Sequence, residues 1–242
     1  MQEEKGNQKF SLINYLRIIL FGSKKEDYYK DDGILTYRDP YDPVVKAYVF
    51  PKLKKINDTI PNDGSLTLLD VGCGNGTFTV YLKEMFKTYG TDYSIKMLSN
   101  ISGTLPLALS DAHDLPFKAS SFDVVFESNM IHHIDNETVV LEEMTRLSRK
   151  YIILIEPNIF NPPMALFSMI HKPDRKLFKL RFKKLKSFLK NRGFHCKKTI
   201  RTGMVFQNAT PRFLLPFLKI FDINFPIGAY TILVFEKSES MK

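Results

Sequence analysis

A glycine-rich turn with an acidic residue beside it is the first feature of this 242-residue sequence that could do chemistry. Residues 68–78 form an apolar run that ends at Asp70, and glycines follow at positions 72, 74 and 76. Glycines at alternate positions let the backbone approach a ligand closely. A carboxylate there would repel a phosphate, so the pattern favours a ligand that brings a positive charge. A tight strand-to-helix turn without a ligand is the alternative.

Further acidic residues follow the next two predicted strands. Asp92 lies about twenty residues beyond the first glycine, where an acidic side chain accepts hydrogen bonds from a ribose diol. Asp111 follows the third strand and could accept from an exocyclic adenine amine. Because the carboxyl ends of parallel strands meet in one crevice, these residues are predicted to face one nucleotide-like ligand. Taken singly, Asp92 could instead help to cap a helix, and Asp123 is interpreted as structural.

Apolar runs alternate with helical patterns from residue 66 onward. The predicted strands are 66–71, 88–92, 105–109, 122–127, 151–155, 194–199 and 230–236, and the predicted helices between the first five are 76–87, 94–101 and 136–148. Strands that are continuous Val, Ile and Leu runs separated by helices indicate a parallel sheet covered on both faces. We therefore predict a doubly wound α/β fold.

The segments that flank this pattern are less regular. Residues 1–61 are predicted to be an N-terminal helical cap with helices at 10–22 and 42–60, and residues 62–242 the main domain. Residues 158–173 are predicted to form a loop with a short helix, because they hold three prolines. Residues 211–221 have the pattern of an apolar helix. The stretches 158–173 and 201–227 are predicted inserts on the substrate side.

The net charge of +9 is concentrated in one segment. Residues 172–201 hold thirteen Lys or Arg and one acidic residue, which is +12, so the rest of the chain sums to −3. The segment includes a predicted amphipathic helix over 176–191. Its basic face could be merely solvated, could follow a phosphate backbone or could lie on an anionic membrane.

The two cysteines, Cys73 and Cys196, do not have metal-ligand spacing, and the sequence predicts no metal site. Apolar residues 12–21 are interrupted by Asn14 and Arg17 and are too short to span a bilayer. These observations predict a cytoplasmic protein, with peripheral membrane contact left open.

The motifs of residues 66–155 resemble those of class I S-adenosylmethionine (SAM)-dependent methyltransferases, of the small-molecule type grouped with ubiquinone and menaquinone biosynthesis enzymes. The matching segments are the strand and glycine turn at 68–76, Gly-x-Asp-x-Ser at 90–94, Asp-Ala-x-x-Leu-Pro-Phe at 111–117 and Phe-Asp-x-Val at 122–125. The resemblance implies a Rossmann-like, mostly parallel seven-stranded sheet, with SAM as cofactor and S-adenosylhomocysteine as product. The implied cofactor-binding residues are Asp70, Gly72, Gly74, Asp92, Tyr93, Asp111, Ala112 and Glu127. The family's Lys-Pro-Gly-Gly turn before the fifth strand is absent, so that connection is predicted to be shorter or differently shaped.

Methyl transfer requires a base only if the acceptor carries a proton that must leave. His132 and His133 follow the fourth strand and are the candidate bases, with helix packing as the alternative reading. The predicted function is methyl transfer to a small-molecule or lipid-like acceptor. The alternatives are an RNA methyltransferase that uses the basic 172–201 surface and a non-catalytic SAM-binding module. The sequence assigns neither the acceptor atom nor the oligomeric state.

Overall fold

The computed structural model describes residues 37–170 and 172–238, and within them seven strands form one mixed sheet. The strands are β1 (Thr67–Val71), β2 (Lys87–Asp92), β3 (Leu107–Leu109), β4 (Phe122–Ser128), β5 (Ser148–Pro157), β6 (Phe194–Thr202) and β7 (Tyr230–Lys237). Their order is β3-β2-β1-β4-β5-β7-β6. The first five strands are parallel, and β7 runs antiparallel to both β5 and β6. The predicted doubly wound, mostly parallel seven-stranded α/β fold is confirmed.

The strand order reverses direction between β1 and β4. From β1 the chain moves outward through β2 to β3 and then returns to place β4 on the other side of β1. The loops that leave the carboxyl ends of β1 and β4 therefore diverge and open a crevice, which is where ligands bind in open α/β sheets. The glycine turn and the two adjacent histidines follow these two strands.

Helices cover both faces of the sheet. They are α1 (Pro43–Asn57), α2 (Thr79–Leu82), α3 (Ile95–Ser99), α4 (Glu137–Leu147), α5 (Pro162–Ile170), α6 (Phe182–Lys190) and α7 (Leu215–Leu218), with 3₁₀ turns at Ile131–His133, Lys172–Phe178, Arg212–Leu214 and Lys219–Phe221. Alternate residues of β1 enter different cores: Leu68 packs with α1, and Leu69 packs with α4 and α6. Such alternation is expected of a strand buried on both faces.

Three predicted helices are shorter or broken. The helix predicted over 76–87 is only α2, because Gly76 takes a left-handed φ of 83° and the turn continues past it. The helix predicted over 176–191 is split into a 3₁₀ turn and α6, because Arg181 has an extended backbone and Leu180 packs against both cores. The helix predicted over 211–221 is a chain of short turns around α7.

The connection between α4 and β5 has no loop at all. Helix α4 ends at Leu147, and β5 begins at Ser148. The Ser148 hydroxyl donates to the Tyr151 carbonyl, 2.9 Å away, across the start of the strand. The shorter junction predicted from the missing glycine turn is therefore confirmed.

The N-terminal flank is described only from residue 37. Helix α1 begins where the Asp42 carboxylate accepts from the Val44 backbone N–H and Pro43 occupies the first turn. The helix predicted over 10–22 lies outside the described residues, so a cap over 1–61 stays a prediction. No helix in the described ranges combines the length and hydrophobicity that crossing a bilayer requires.

Candidate cofactor and acceptor site

A cavity of about 260 Å³ lies at the carboxyl ends of β1 and β4. The residues on its wall that the sequence singled out as site residues are Asp70, Gly72, Gly74, Asp92, His132 and His133. They come from the ends of β1 and β2 and from the turn after β4, as the topology requires. The structure thus brings the glycine turn, two of the predicted carboxylates and both histidines to one space.

The backbone of the glycine turn has a conformation that costs free energy for residues other than glycine. Gly72 and Gly74 have left-handed φ values of 70° and 55°. A Cβ atom on Gly72 would lie 2.4 Å from Met130 Sδ, whereas one on Gly74 would meet nothing within 4 Å. The Gly74 N–H donates to Asp92 Oδ2 at 2.8 Å, which fixes the turn to the end of β2.

Asp70 and Asp92 give this cavity an acidic wall. Asp70 accepts a 2.6 Å hydrogen bond from Thr79 Oγ1, and burial raises the pKa of its carboxyl to about 7, with a further contribution from Asp92. Burial also raises the pKa of Asp92, although backbone N–H groups of Ser94 and Gly74 partly oppose it. Within the described residues neither carboxyl forms an ion pair, so a ligand with a positive charge fits this wall.

Four other predicted site residues lie off the cavity wall. Tyr93 is 65% exposed, and Ala112 packs against the core that contains α4. Asp111 is exposed, and its Oδ1 lies 2.6 Å from His113 Nδ1. Glu127 is buried at the end of β4, where burial and the charge of Glu156 hold its pKa well above the usual range. Their roles in cofactor binding stay predictions.

His132 is held between two carboxylates. The buried Glu156, near the end of β5, lies with Oε2 2.5 Å from His132 Nδ1, and its Oε1 accepts from the Ile131 N–H at 2.8 Å. On the other side of the ring, His132 Nε2 lies 3.3 Å from Asp174 Oδ1, and His133 Nε2 lies 3.8 Å from the same oxygen. Both imidazoles therefore direct a nitrogen toward the carboxylate of Asp174.

The charge of His132 follows from these neighbours. Burial alone would lower the pKa of the imidazole, but Glu156 and Asp174 outweigh it and raise the pKa to about 9. The ring is therefore protonated at neutral pH, and an imidazolium cannot accept a proton. The arrangement favours a role in holding an anion over the predicted role as a base, which stays a prediction.

We expect His132 to make the stability of the fold depend on pH. A pKa raised from 6.5 to about 9 means that the folded state binds the proton more tightly, so the stabilisation is complete below pH 6.5 and is lost as the pH rises through 9. The change should be roughly 3 kcal/mol. Urea unfolding of the wild type and His132→Gln between pH 6 and 10 checks this, and parallel curves for the two proteins would contradict it.

Two of these residues have no direct signal in the sequence. Glu156 directly follows the predicted strand 151–155, and its position at the end of β5 is the available clue, since β5 neighbours β4. Asp174 was noted only as the lone acidic residue of a basic segment, and nothing local indicates that it reaches the histidines.

The donor atoms of His132, His133 and Asp174 lie within 4.8 Å of one another, so this cluster could also hold a cation, although the sequence predicted no metal.

The two predicted inserts supply apolar and polar residues to the cavity wall. Met164 and Phe167 of α5 and residues 206–209 line it, together with Tyr37 and Tyr230. Asn158 and Asn161 join the inserts by donating from Nδ2 to the Gly228 and Ile227 carbonyls at 2.8 and 2.7 Å. The cavity therefore has acidic residues on the glycine-turn side, and the inserts supply most of its apolar residues together with the polar Gln207 and Asn208.

Comparisons with known proteins identify a methyltransferase domain in this chain. Residues 69–154 match the family described as "Methyltransferase domain". A 2-methyl-6-phytyl-1,4-hydroquinone methyltransferase of Synechocystis is 28% identical over 53% of this chain and 48% of its own length. A tRNA (carboxymethyluridine(34)-5-O)-methyltransferase of Schizosaccharomyces pombe is 27% identical over 43% of this chain and 44% of its own length.

The fold is also similar to that of solved structures. A SAM-dependent methyltransferase from Thermotoga maritima superposes with a TM-score of 0.61 at 18% identity, over 81% of this chain and 92% of that chain. The chain spans about half the length of the curated relatives above. The resemblance predicted from the motifs is confirmed by these matches.

Proposed function

We propose that this protein, whose residues 69–154 form a class I SAM-dependent methyltransferase domain, transfers the methyl group of SAM to a small molecule with an apolar portion. The observation that carries the proposal is the two-sided cavity. Its acidic side holds the buried Asp70 and the half-buried Asp92, neither with an ion pair in the described ranges, and most of its apolar residues come from the inserts. The hydroquinone relative is an example of a domain of this kind whose acceptor carries a long apolar chain.

SAM supplies, when bound, a sulfonium-linked methyl group whose leaving group is a neutral thioether. Asp70 and Asp92 attract the positive charge of the ligand, and the turn at Gly72 and Gly74, which has no side chains there, lets the backbone approach it closely. Phe167 and Phe206 exclude water and hold the apolar part of the acceptor against the methyl group. In this proposal, catalysis comes mainly from alignment of the reacting atoms.

Asp92→Ala should weaken SAM binding by roughly 1–3 kcal/mol, because it removes a buried charged acceptor and frees the Gly74 N–H from its partner. Isothermal titration calorimetry with SAM measures the loss. Asp58→Ala is the matched control, since Asp58 is an exposed carboxylate paired with Lys54 on the surface. If Asp92→Ala and Asp58→Ala bind SAM equally well, the cofactor site is misassigned.

Turnover separates the enzyme from a non-catalytic SAM-binding module. The wild type should form S-adenosylhomocysteine from SAM when given quinols or other amphiphilic acceptors. Binding of SAM by calorimetry, without turnover on any of these acceptors, would favour the binding module.

An RNA acceptor is the second candidate, because the tRNA methyltransferase named above matches this domain and residues 172–201 are strongly basic. The structure pairs part of that surface with acidic side chains: Lys184 with Glu137, Arg192 with Glu142, and Lys197 with Glu236. Helix α6 contributes no residue to the cavity wall. Micromolar, salt-sensitive binding of total tRNA would favour this candidate, and its absence at low salt would exclude it.

A further inference from the structure

We infer that the acceptor atom is a carboxylate oxygen, and that the acceptor's carboxylate binds between His132 and His133 at the place now taken by the Asp174 carboxylate. The inference rests on the proposed methyltransferase function and names its substrate class. It starts from the geometry of the three side chains, because two imidazole nitrogens approach a single carboxylate oxygen, at 3.3 and 3.8 Å, on the cavity wall.

The contacts of the His132 imidazole make it suitable for binding an anion. Glu156 is fully buried and fixes the ring by its contact with Nδ1, while a second bond ties Glu156 to the backbone of Ile131. The ring cannot turn without breaking this contact, so Nε2 stays directed toward Asp174. A proton on each nitrogen makes both of them donors, and charge-assisted bonds of this kind are among the stronger ones in proteins.

Asp174 belongs to the insert side of the cavity and not to the sheet. It lies in the 3₁₀ turn Lys172–Phe178, and the next turn of that segment is held by the ion pair between Lys176 and Asp135. Asp174 is itself a cavity-lining residue. Its carboxylate therefore has the chemistry and the position expected of an acceptor carboxylate, and it comes from a segment outside β4 and β5.

A carboxylate acceptor also fits the protonation of the site. At neutral pH it is already ionised, so it needs no general base, and the protonated His132 is suited to position it. The carboxylate oxygen forms a bond to the methyl carbon as the methyl–sulfur bond breaks, the electron pair of that bond remains on sulfur, and no proton moves. The methyl ester that results is neutral, so it loses its attraction to His132 and leaves more readily.

The test uses hexanoate as the probe and hexanamide as its uncharged match. Asp174→Ala removes the internal carboxylate and should bind hexanoate at least tenfold more tightly than the wild type, measured by shifts of histidine ring signals in NMR. Hexanamide should bind both proteins weakly and equally. Asp174→Asn is the second variant, since it keeps the size of the side chain, and the double variant His132→Gln/Asp174→Ala should lose the hexanoate site.

Equal hexanoate affinity in the wild type and in both Asp174 variants would overturn the inference, and so would equal binding of hexanoate and hexanamide. Calorimetry with SAM on the same samples keeps the two proposals apart, because failure of SAM binding counts against the methyltransferase function and not against the carboxylate site. With tritiated SAM, Asp174→Ala should convert hexanoate to a base-labile ester that releases volatile methanol.

A divalent cation held by His132, His133 and Asp174 is the rival use of the same atoms. It predicts the opposite result for Asp174→Ala, since the variant would lose a ligand. Zn²⁺ that binds the wild type tightly, together with activity abolished by EDTA, would overturn the carboxylate inference.

Discussion

Gly72→Val should reduce SAM affinity at least about a hundredfold, or about 2.7 kcal/mol. Valine at a φ of 70° is a genuine outlier, because its branched side chain crowds the backbone in the left-handed region. Its Cβ would also lie 2.4 Å from Met130 Sδ and 3.3 Å from Met130 Cβ, so Met130 would have to move. Because Gly72 lines the cavity, the distorted turn and the added methyl groups act where the ligand must bind.

Gly64→Val provides the matched control for this change. Gly64 has a φ of 85°, so valine suffers a similar backbone strain there, but its Cβ would meet nothing within 4 Å. Gly64 is exposed and lies outside the cavity lining. Calorimetry with SAM on the two variants separates strain from occlusion of the site. SAM affinities of the two variants within threefold of each other would contradict the assignment of Gly72 to the cofactor site.

Glu156→Ala should destabilise the fold by about 3–5 kcal/mol, because it removes one partner of a buried charge pair. The variant leaves the protonated His132 without its nearest carboxylate, and the Ile131 N–H loses its acceptor. Urea unfolding followed by circular dichroism measures the loss. Glu142→Ala should change stability by less than about 0.5 kcal/mol, since Glu142 is an exposed partner of Arg192.

Glu156→Gln separates charge from shape in the same position. The amide keeps an acceptor oxygen and nearly the same volume, so we expect a folded protein in which the pKa of His132 falls below its value of about 9. NMR titration of the histidine ring gives that pKa. An unchanged pKa in Glu156→Gln, or a loss below 1 kcal/mol in Glu156→Ala, would show that Glu156 does not hold His132.

The sequence predicted the sheet and the meeting of the glycine turn with Asp92 because both depend on local pattern. The glycine turn after β1 and Asp92 after β2 belong to strands that are neighbours in the sheet. Once the strands are parallel, their ends must meet, so the spacing in sequence translates directly into proximity in space. The shorter or differently shaped junction before β5 was predicted from a departure from the family pattern, and α4 does run directly into β5.

The cluster of His132 with its two carboxylates was less predictable because it depends on long-range contacts. Asp174 reaches His132 across 42 residues of chain, and Glu156 reaches it across 24. Nothing in a basic, lysine-rich segment indicates that its one carboxylate turns inward. The helix predicted over 176–191 is broken for a related reason, since Leu180 packs against both cores and overrides the local helical period.

The bonds from Asn158 and Asn161 to the carbonyls of Gly228 and Ile227 have a consequence for how such a protein can diversify. They link two segments that are distant in the chain into one structural unit next to β5 and β7. Substitutions that alter the acceptor can therefore accumulate in this unit while the glycine turn after β1 and Asp92 at the end of β2 are kept. Exchange of residues 158–178 and 203–228 together between relatives should transfer acceptor preference more completely than exchange of either segment alone.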